Sequence, residues 1–261
     1  MKNILFLIFI LISWGSANAD FGVAIGGLSV PHYMGSAQNY QLMATLPFYL
    51  KENEIFKENK AFVFEFDAEL NLPISGEDLS ASEPDGYNKE GKVLANFKDY
   101  ARRGMGFLPA SFYMGLKVGL ELGPIAIEAS SMPGVQLGHG WGNAGVLSKV
   151  GVKIYTFVNN SGKSASCLCF YSDALFTNSR YNNLYYSVTA PNVLADRPEF
   201  DGSKSGFLGI KSGFYFLNRW DALVLMGMFE FQDMSNSVVR ESPLVRRKSG
   251  GLAALGVAYL W

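Results

Sequence analysis

Apolar and polar residues alternate along most of this chain, which is the pattern of β-strands with one apolar face. The clearest example spans residues 62–71, where Phe62, Phe64 and Phe66 alternate with Glu65 and Asp67. Similar segments lie near residues 21–26, 41–50, 62–71, 112–122, 125–130, 149–155, 167–176, 208–216, 223–232 and 250–261. The pattern predicts an all-β fold of about ten antiparallel strands. If a hairpin lies within the connection 73–110 or 178–205, the number of strands is eight or twelve instead.

The connections between these segments alternate between long and short. The longest, 73–110, is followed by the two-residue turn Gly123–Pro124, and the same alternation continues to the end of the chain. This is the topology of a transmembrane antiparallel outer-membrane β-barrel, with short periplasmic turns and long extracellular loops. A soluble ligand-binding barrel also alternates apolar and polar residues, but its apolar face points inward.

The longest connection, 73–110, is too long to be a simple link. Val93, Leu94, Phe97 and Ala101 recur in it at helical spacing and predict a short amphipathic helix. The helix either covers its own apolar residues within the loop or forms a plug or partner-binding surface.

One face of the predicted strands carries charged residues of both signs. A row of acids such as Glu65, Asp67 and Glu69 can serve acid–base catalysis, but lysines on the same face favour ion pairing across a narrow lumen. We therefore predict a polar lumen in which acids meet lysines; its members are Glu65, Asp67, Glu69, Glu121, Glu128, Asp173, Lys117, Lys149, Lys153 and Lys211.

The first nineteen residues have the organisation of a secretory signal peptide. Lys2 precedes an apolar run, and Ala17-Asn18-Ala19 provides a cleavage site before Asp20. After that run, no stretch of about 18 uncharged apolar residues follows, so any later membrane span is made of strands. We therefore expect a signal peptide at residues 1–19 and an outer-membrane β-barrel at residues 20–261, located in the cell outer membrane.

The final segment, 250–261, has large residues on one face and small residues on the other. Gly256, Tyr259 and Trp261 resemble the C-terminal recognition signal of bacterial outer-membrane barrels, although Ala254 stands where that signal usually has a polar residue. We interpret these three residues as a membrane-assembly signal. The alternative is an ordinary closing strand of a soluble β-protein.

Composition agrees with a membrane barrel. Aromatic residues make up 14% of the chain and charged residues only 17%, and the mean hydropathy is +0.11. The 22 basic and 23 acidic residues give a net charge of −1, which argues against a nucleic-acid partner. Cys167 and Cys169 are predicted to be small residues facing the lumen, with a thiol-reactive or metal-binding pair as the alternative. No cofactor and no metal are predicted.

Candidate catalytic groups are few. After the signal segment the chain contains only His32 and His139, both in predicted loops and neither at the spacing of a catalytic motif. We expect solvated histidines and no enzyme activity. The basic cluster Arg240, Arg246, Arg247 and Lys248 is either a solvated charge run or a contact for lipopolysaccharide phosphates.

Four motifs lie at the ends of the predicted strands and in the loops: Pro31-x-Tyr33-x-Gly35-Ser36, Tyr185-Tyr186-Ser187-Val188-Thr189, Ser242-Pro243-Leu244-Val245 and Gly256-x-x-Tyr259-x-Trp261. Together they resemble the motifs of the MipA/OmpV family, the MltA-interacting outer-membrane proteins. The resemblance implies a non-enzymatic barrel. It implies a scaffold for murein-synthesising and murein-hydrolysing enzymes, with a murein lytic transglycosylase or synthase as partner.

The sequence thus predicts an envelope scaffold or interaction protein that also contacts outer-membrane lipid and lipopolysaccharide. The alternatives are a narrow pore for small solutes and a surface adhesin, with a lipid-acting outer-membrane enzyme as a remote third.

Overall fold

The computed structural model describes residues 20–50, 62–76, 99–138, 142–161 and 164–260. Ten long strands form one antiparallel sheet: β1 (Asp20–Pro31), β2 (Asn39–Leu50), β3 (Val63–Asn71), β6 (Ala110–Leu122), β7 (Ile125–Leu137), β8 (Asn143–Ser161), β9 (Ser164–Thr177), β10 (Gly206–Trp220), β11 (Leu223–Asp233) and β12 (Ser249–Leu260). The prediction of an all-β fold with about ten strands is confirmed. The connection 73–110 does contain a hairpin, but β4 (Ile74–Gly76) and β5 (Gly106–Leu108) form a separate two-stranded sheet.

The strands of the large sheet follow one another in an up-and-down order. The first strand pairs with both β2 and β12, with Val23 opposite Tyr259, so the beginning and the end of the described chain lie side by side. Within the described residues no ladder joins β2 to β3, and these are the two edge strands. The pairing order is that of the wall of an antiparallel barrel.

The sheet is strongly curved. Lys211 on β10 and Glu69 on β3 lie five interstrand steps apart in the sheet order, which would separate them by about 24 Å in a flat sheet. Their Nζ and Oε1 atoms are nevertheless 4.0 Å apart. The inner face of the sheet therefore encloses a narrow lumen.

A tyrosine connects the two edge strands at the loop end of the barrel. The hydroxyl of Tyr40, at the beginning of β2, donates to the carbonyl oxygens of Leu72 at 3.2 Å and Pro73 at 2.8 Å, just beyond β3. The two strands are thus held together at this end.

The predicted separation of faces is observed. Phe66 on β3 is 73% exposed and Leu116 on β6 is 48% exposed on the outer face, whereas the side chain of the adjacent Lys117 is only 18% exposed on the inner face. Among the described residues no helix is both long enough and apolar enough to cross a membrane.

The connections differ in length at the two ends of the barrel. At one end β6 and β7, and β10 and β11, are joined by two-residue turns, and positive φ angles occur at Gly123 (64°) and Asp221 (52°). At the other end the loops are long, except between β7 and β8. These two strands extend beyond the segments 125–130 and 149–155 that the sequence predicts, since β7 ends at Leu137 and β8 begins at Asn143.

The described loops at this end pack together, and we call residues 32–38, 72–76, 99–109, 178–205 and 234–248 the cap. The cap contains the helix α1 (Ser179–Tyr186) and two short 3-10 turns, Tyr100–Arg102 and Ala190–Asn192. With the loop ends of the strands, it forms the main cluster of buried apolar residues. The fold thus has an apolar core at the mouth and a charged lumen below it.

Several predictions fall outside the described residues. These are the signal peptide at 1–19, His139, Trp261, and the predicted loop helix apart from Ala101.

Candidate functional site

Helix α1 lies inside the loop end of the barrel. Its N-cap Asn178 accepts a hydrogen bond from the Tyr181 backbone N–H at 3.0 Å, which satisfies one of the free donors of the first turn. Asn71, from the inner face of β3, donates to the Tyr185 hydroxyl at 3.0 Å. The ring of Tyr113, from the inner face of β6, lies 5.6 Å from that of Tyr181. The helix therefore fills the mouth with tyrosine side chains.

Three motif segments that are distant in sequence meet in the cap. The Tyr33 hydroxyl donates to the Leu244 carbonyl at 2.9 Å, and the Tyr186 hydroxyl donates to the Met34 carbonyl at 3.0 Å. The Ser242 hydroxyl donates to the Tyr186 carbonyl at 2.6 Å. Burial raises the pKa of Tyr33 well above its usual range, so its hydroxyl stays a donor at physiological pH. These bonds explain in physical terms why the motif contains tyrosine and serine at these positions.

Gly35, Pro31 and Pro243 determine the backbone conformation where these motif segments meet. Gly35 has a φ of +93°, a backbone conformation that favours glycine, and a Cβ there would also lie 2.8 Å from the sulfur of Met234. Pro31 is the last residue of β1. Pro243 is the second residue of a turn closed by the Val245 N–H donating to the Ser242 carbonyl at 2.9 Å.

The prediction that His32 is a solvated loop residue is wrong. His32 is 3% exposed, and its Nδ1 lies 3.0 Å from Oδ2 of Asp99. The hydroxyl of Ser36 donates to the same Oδ2 at 2.7 Å. The loop is buried because the cap covers it, and the three groups satisfy one another. Since Ser36 donates to the carboxylate, it is not positioned as a nucleophile activated by His32.

Arg197 is the most deeply buried charged residue of the cap. It is 1% exposed and donates to the carbonyl oxygens of Ala101 at 3.0 Å, Arg103 at 2.6 Å and Asn192 at 2.9 and 2.6 Å. One guanidinium therefore joins the chain around residue 102 to the loop between β9 and β10.

Asp196 joins three cap segments at the surface. Its carboxylate lies 2.5 Å from Nη2 of Arg103 and 3.2 Å from Nη2 of Arg246. Slight burial alone would raise the pKa of Asp196, but the hydrogen bonds and charges of Arg103, and then the hydrogen bond from Arg246, lower it. The carboxylate therefore stays ionised at neutral pH and holds both arginines.

The predicted ion pairs of the lumen are confirmed for Glu65, Asp67, Glu69 and Glu128, whereas Glu121 and Asp173 form no ion pair within the described residues. Each of the four predicted lysines contacts at least one carboxylate from another strand. The pairs are Lys117–Glu65 at 2.8 Å, Lys117–Glu128 at 3.8 Å, Lys149–Glu69 at 2.9 Å, Lys149–Asp67 at 3.6 Å, Lys153–Glu128 at 2.6 Å, Lys211–Glu230 at 3.9 Å and Lys211–Glu69 at 4.0 Å. Opposite walls of the lumen are therefore braced against each other.

Between these pairs lies a polar cavity of about 120 Å³. It is lined by charges of both signs, among them Glu128, Lys153 and Asp173, and its size corresponds to a few water molecules. Glu230, which the sequence did not single out, extends the network because it accepts hydrogen bonds from Tyr171 at 2.9 Å and Gln232 at 2.8 Å.

The two cysteines are free and buried in the inner face of β9. Buried structural thiols are poorly reactive. Within the described ranges, no three His, Cys, Asp or Glu side chains are grouped so as to hold a metal ion.

The structure separates the basic cluster into two kinds of residue. Arg240 contacts Glu241 at 3.1 Å, and Arg246 contacts Asp196. Arg247 and Lys248 are exposed at the rim of the barrel. Of the predicted assembly signal, Gly256 and Tyr259 lie on β12, and Tyr259 is 59% exposed on the outer face.

A family model described as MltA-interacting protein MipA matches residues 23–261. The chain belongs to this MipA family. The match spans all ten barrel strands and the cap, which agrees with the resemblance inferred from the sequence motifs. A search of curated proteins finds no match.

The MipA motifs identified from sequence converge in the cap, whereas several residues that hold the cap together were not identified. Asp99, Asp196 and Arg197 act through contacts with segments far away in sequence, so no local pattern marks them. Helix α1 does have a local signal, since Asn178 is a good N-cap and Tyr181 and Tyr185 are spaced for one helical face. Its low content of strong helix formers made that signal weak.

Proposed function

We propose that this chain is an outer-membrane barrel that acts as a non-enzymatic scaffold for enzymes that cut or synthesise murein. The observation that carries the proposal is membership of the family described as MltA-interacting protein MipA, over residues 23–261. By that name, a murein lytic transglycosylase of the MltA type is the expected partner class.

The outer face of the barrel supports a location in the membrane. Large apolar side chains are exposed around the sheet, including Phe66 at 73%, Ile25 at 58% and Leu255 at 58%. An apolar surface on most strands would promote aggregation in water but suits contact with lipid. Outer-membrane lipid is thus a proposed partner, with the short turns in the periplasm and the cap outside the cell.

The cap and the lumen support a scaffold over a pore. Tyr181, Tyr185 and Tyr186 of α1 are buried at the mouth, and below them the lysines and carboxylates are paired. Both features reduce the space that is open to an aqueous path.

The buried cluster of His32, Asp99 and Ser36 supports the absence of enzyme activity. Its members are at most 5% exposed and bond to one another. A catalytic site would need a nucleophile and a base accessible to substrate.

A cross-linking group placed in a periplasmic turn should capture the partner. A photo-reactive amino acid at Pro124, in the exposed turn between β6 and β7, should give a covalent adduct with a murein lytic transglycosylase or synthase in irradiated intact envelopes. The reason is that, in the proposed orientation, this turn faces the murein. Adducts are identified by mass spectrometry.

Pro198, which is also exposed but lies in the cap, is the matched control and should give no such adduct. Recovery of the murein enzyme from neither position, or equally from both, would contradict the scaffold. Adducts only from Pro198, and only with host-surface molecules, would instead favour the adhesin.

A further inference from the structure

Within the described residues, Arg247 and Lys248 at the rim of the barrel form no ion pair, whereas the nearby Arg240 and Arg246 do. Arg240 and Arg246 are engaged by Glu241 and Asp196. Arg247 and Lys248 are exposed, and neither forms an ion pair with any residue in the described part of the chain. Within the basic cluster, only these two residues therefore carry a positive charge that no carboxylate of the described residues pairs with.

The backbone at these two residues is fixed although their side chains are free. The Arg247 N–H donates to the Gly35 carbonyl at 3.0 Å, and the Lys248 carbonyl accepts from the Met234 N–H at 2.6 Å. The first bond ties the pair to the loop after β1, and the second ties it to the end of β11. The backbone that carries the two charges is therefore held at one place on the rim, so only the side chains have to be ordered when an anion binds.

This place lies just beyond the apolar belt of the outer face. On β11 the outward residues run from Leu223, 44% exposed, to Phe231, 48% exposed. For tilted strands this corresponds to roughly 20 Å along the barrel axis, close to the apolar band of about 25 Å in outer-membrane barrels. Asp233 at the end of β11 pairs with Ser249, and Lys248 and Arg247 directly precede Ser249. The cations are thus at the height of lipid phosphates.

We propose that Arg247 and Lys248 bind a phosphate group of lipid A in the outer leaflet. Arginine offers several donors in a geometry that matches phosphate oxygens, and lysine adds a point charge. Both residues also border a small cavity at the rim, together with Gly35, Ser249 and Gly250. The inference rests on the proposed orientation, in which the cap faces outward.

The test uses the full mature chain, purified in detergent and titrated with lipid A that carries its phosphates. The double variant Arg247→Gln/Lys248→Gln should bind at least about tenfold more weakly than the wild type. The matched variant Arg240→Gln, which changes an exposed arginine already engaged by Glu241, should bind within about twofold of the wild type. Dephosphorylated lipid A should not distinguish the three proteins.

Heat-modifiable electrophoretic migration shows whether each variant is folded before titration. If the double variant does not fold, Lys248→Gln alone replaces it and should lose less affinity for lipid A. Undiminished binding by the folded variant would overturn the proposal, as would an equal loss in Arg240→Gln. Phosphatidylglycerol vesicles that bind as tightly as lipid A would overturn the assignment to lipid A. The titration contains no murein enzyme, so its failure would leave the scaffold proposal intact.

Discussion

The substitution Leu116→Arg should prevent most of the protein from assembling as a folded barrel. Leu116 lies at the middle of β6 on the outer face and is 48% exposed. An arginine facing lipid at mid-membrane costs about 2–4 kcal/mol, a large part of the stability of a typical domain. Heat-modifiable migration of protein from outer-membrane fractions measures the folded proportion.

The neighbouring substitution Lys117→Leu is the control. It removes contacts with Glu65 at 2.8 Å and Glu128 at 3.8 Å, but Glu128 keeps Lys153 at 2.6 Å, and the new side chain faces the lumen. We expect the barrel to assemble with a smaller loss of stability. Equal effects, or the reverse order, would mean that the apolar face is not in contact with lipid, as in a soluble ligand-binding barrel.

The second large effect is expected from Arg197→Met, which should loosen the cap and leave the barrel assembled. Methionine keeps much of the side-chain length but donates no hydrogen bond, so the carbonyls of Ala101, Arg103 and Asn192 lose a partner in a buried place. Each buried acceptor left without a partner costs about 1–3 kcal/mol. Limited proteolysis of intact cells, followed by mass spectrometry, measures how readily the cap is cut.

Arg240→Met makes the same chemical change at an exposed arginine whose contact is the adjacent Glu241. It should leave the rate of cleavage close to that of the wild type, because exposed ion pairs contribute about 0–1 kcal/mol. If the Arg197→Met and Arg240→Met variants were equally resistant to proteolysis, Arg197 would not hold the cap together.

The strands could be predicted because each carries its own signal. Alternation along segments such as 62–71 follows from a wall with one apolar and one polar side, and it requires no knowledge of neighbouring strands. The lumen pairs could be predicted too, because four lysines and several carboxylates on the inner face have few other partners in a narrow space.

The cap could be predicted only in part. Tyr33, Gly35 and Ser242 were identified through a family resemblance, but the hydrogen bonds between the motif segments join residues 56, 152 and 211 positions apart and leave no local pattern. His32 was misjudged for the same reason, since a loop residue is exposed unless other loops cover it. The short strands β4 and β5, three residues each, carry too little alternation to be recognised.

The central proposal, that the barrel is a non-conducting scaffold, is tested most directly by its conductance in planar lipid bilayers. The folded wild-type protein should give no steady channel openings, because α1 fills the mouth and the inner lysines and carboxylates are paired. Stable openings of uniform size at neutral pH would contradict the account and favour a narrow pore for small solutes.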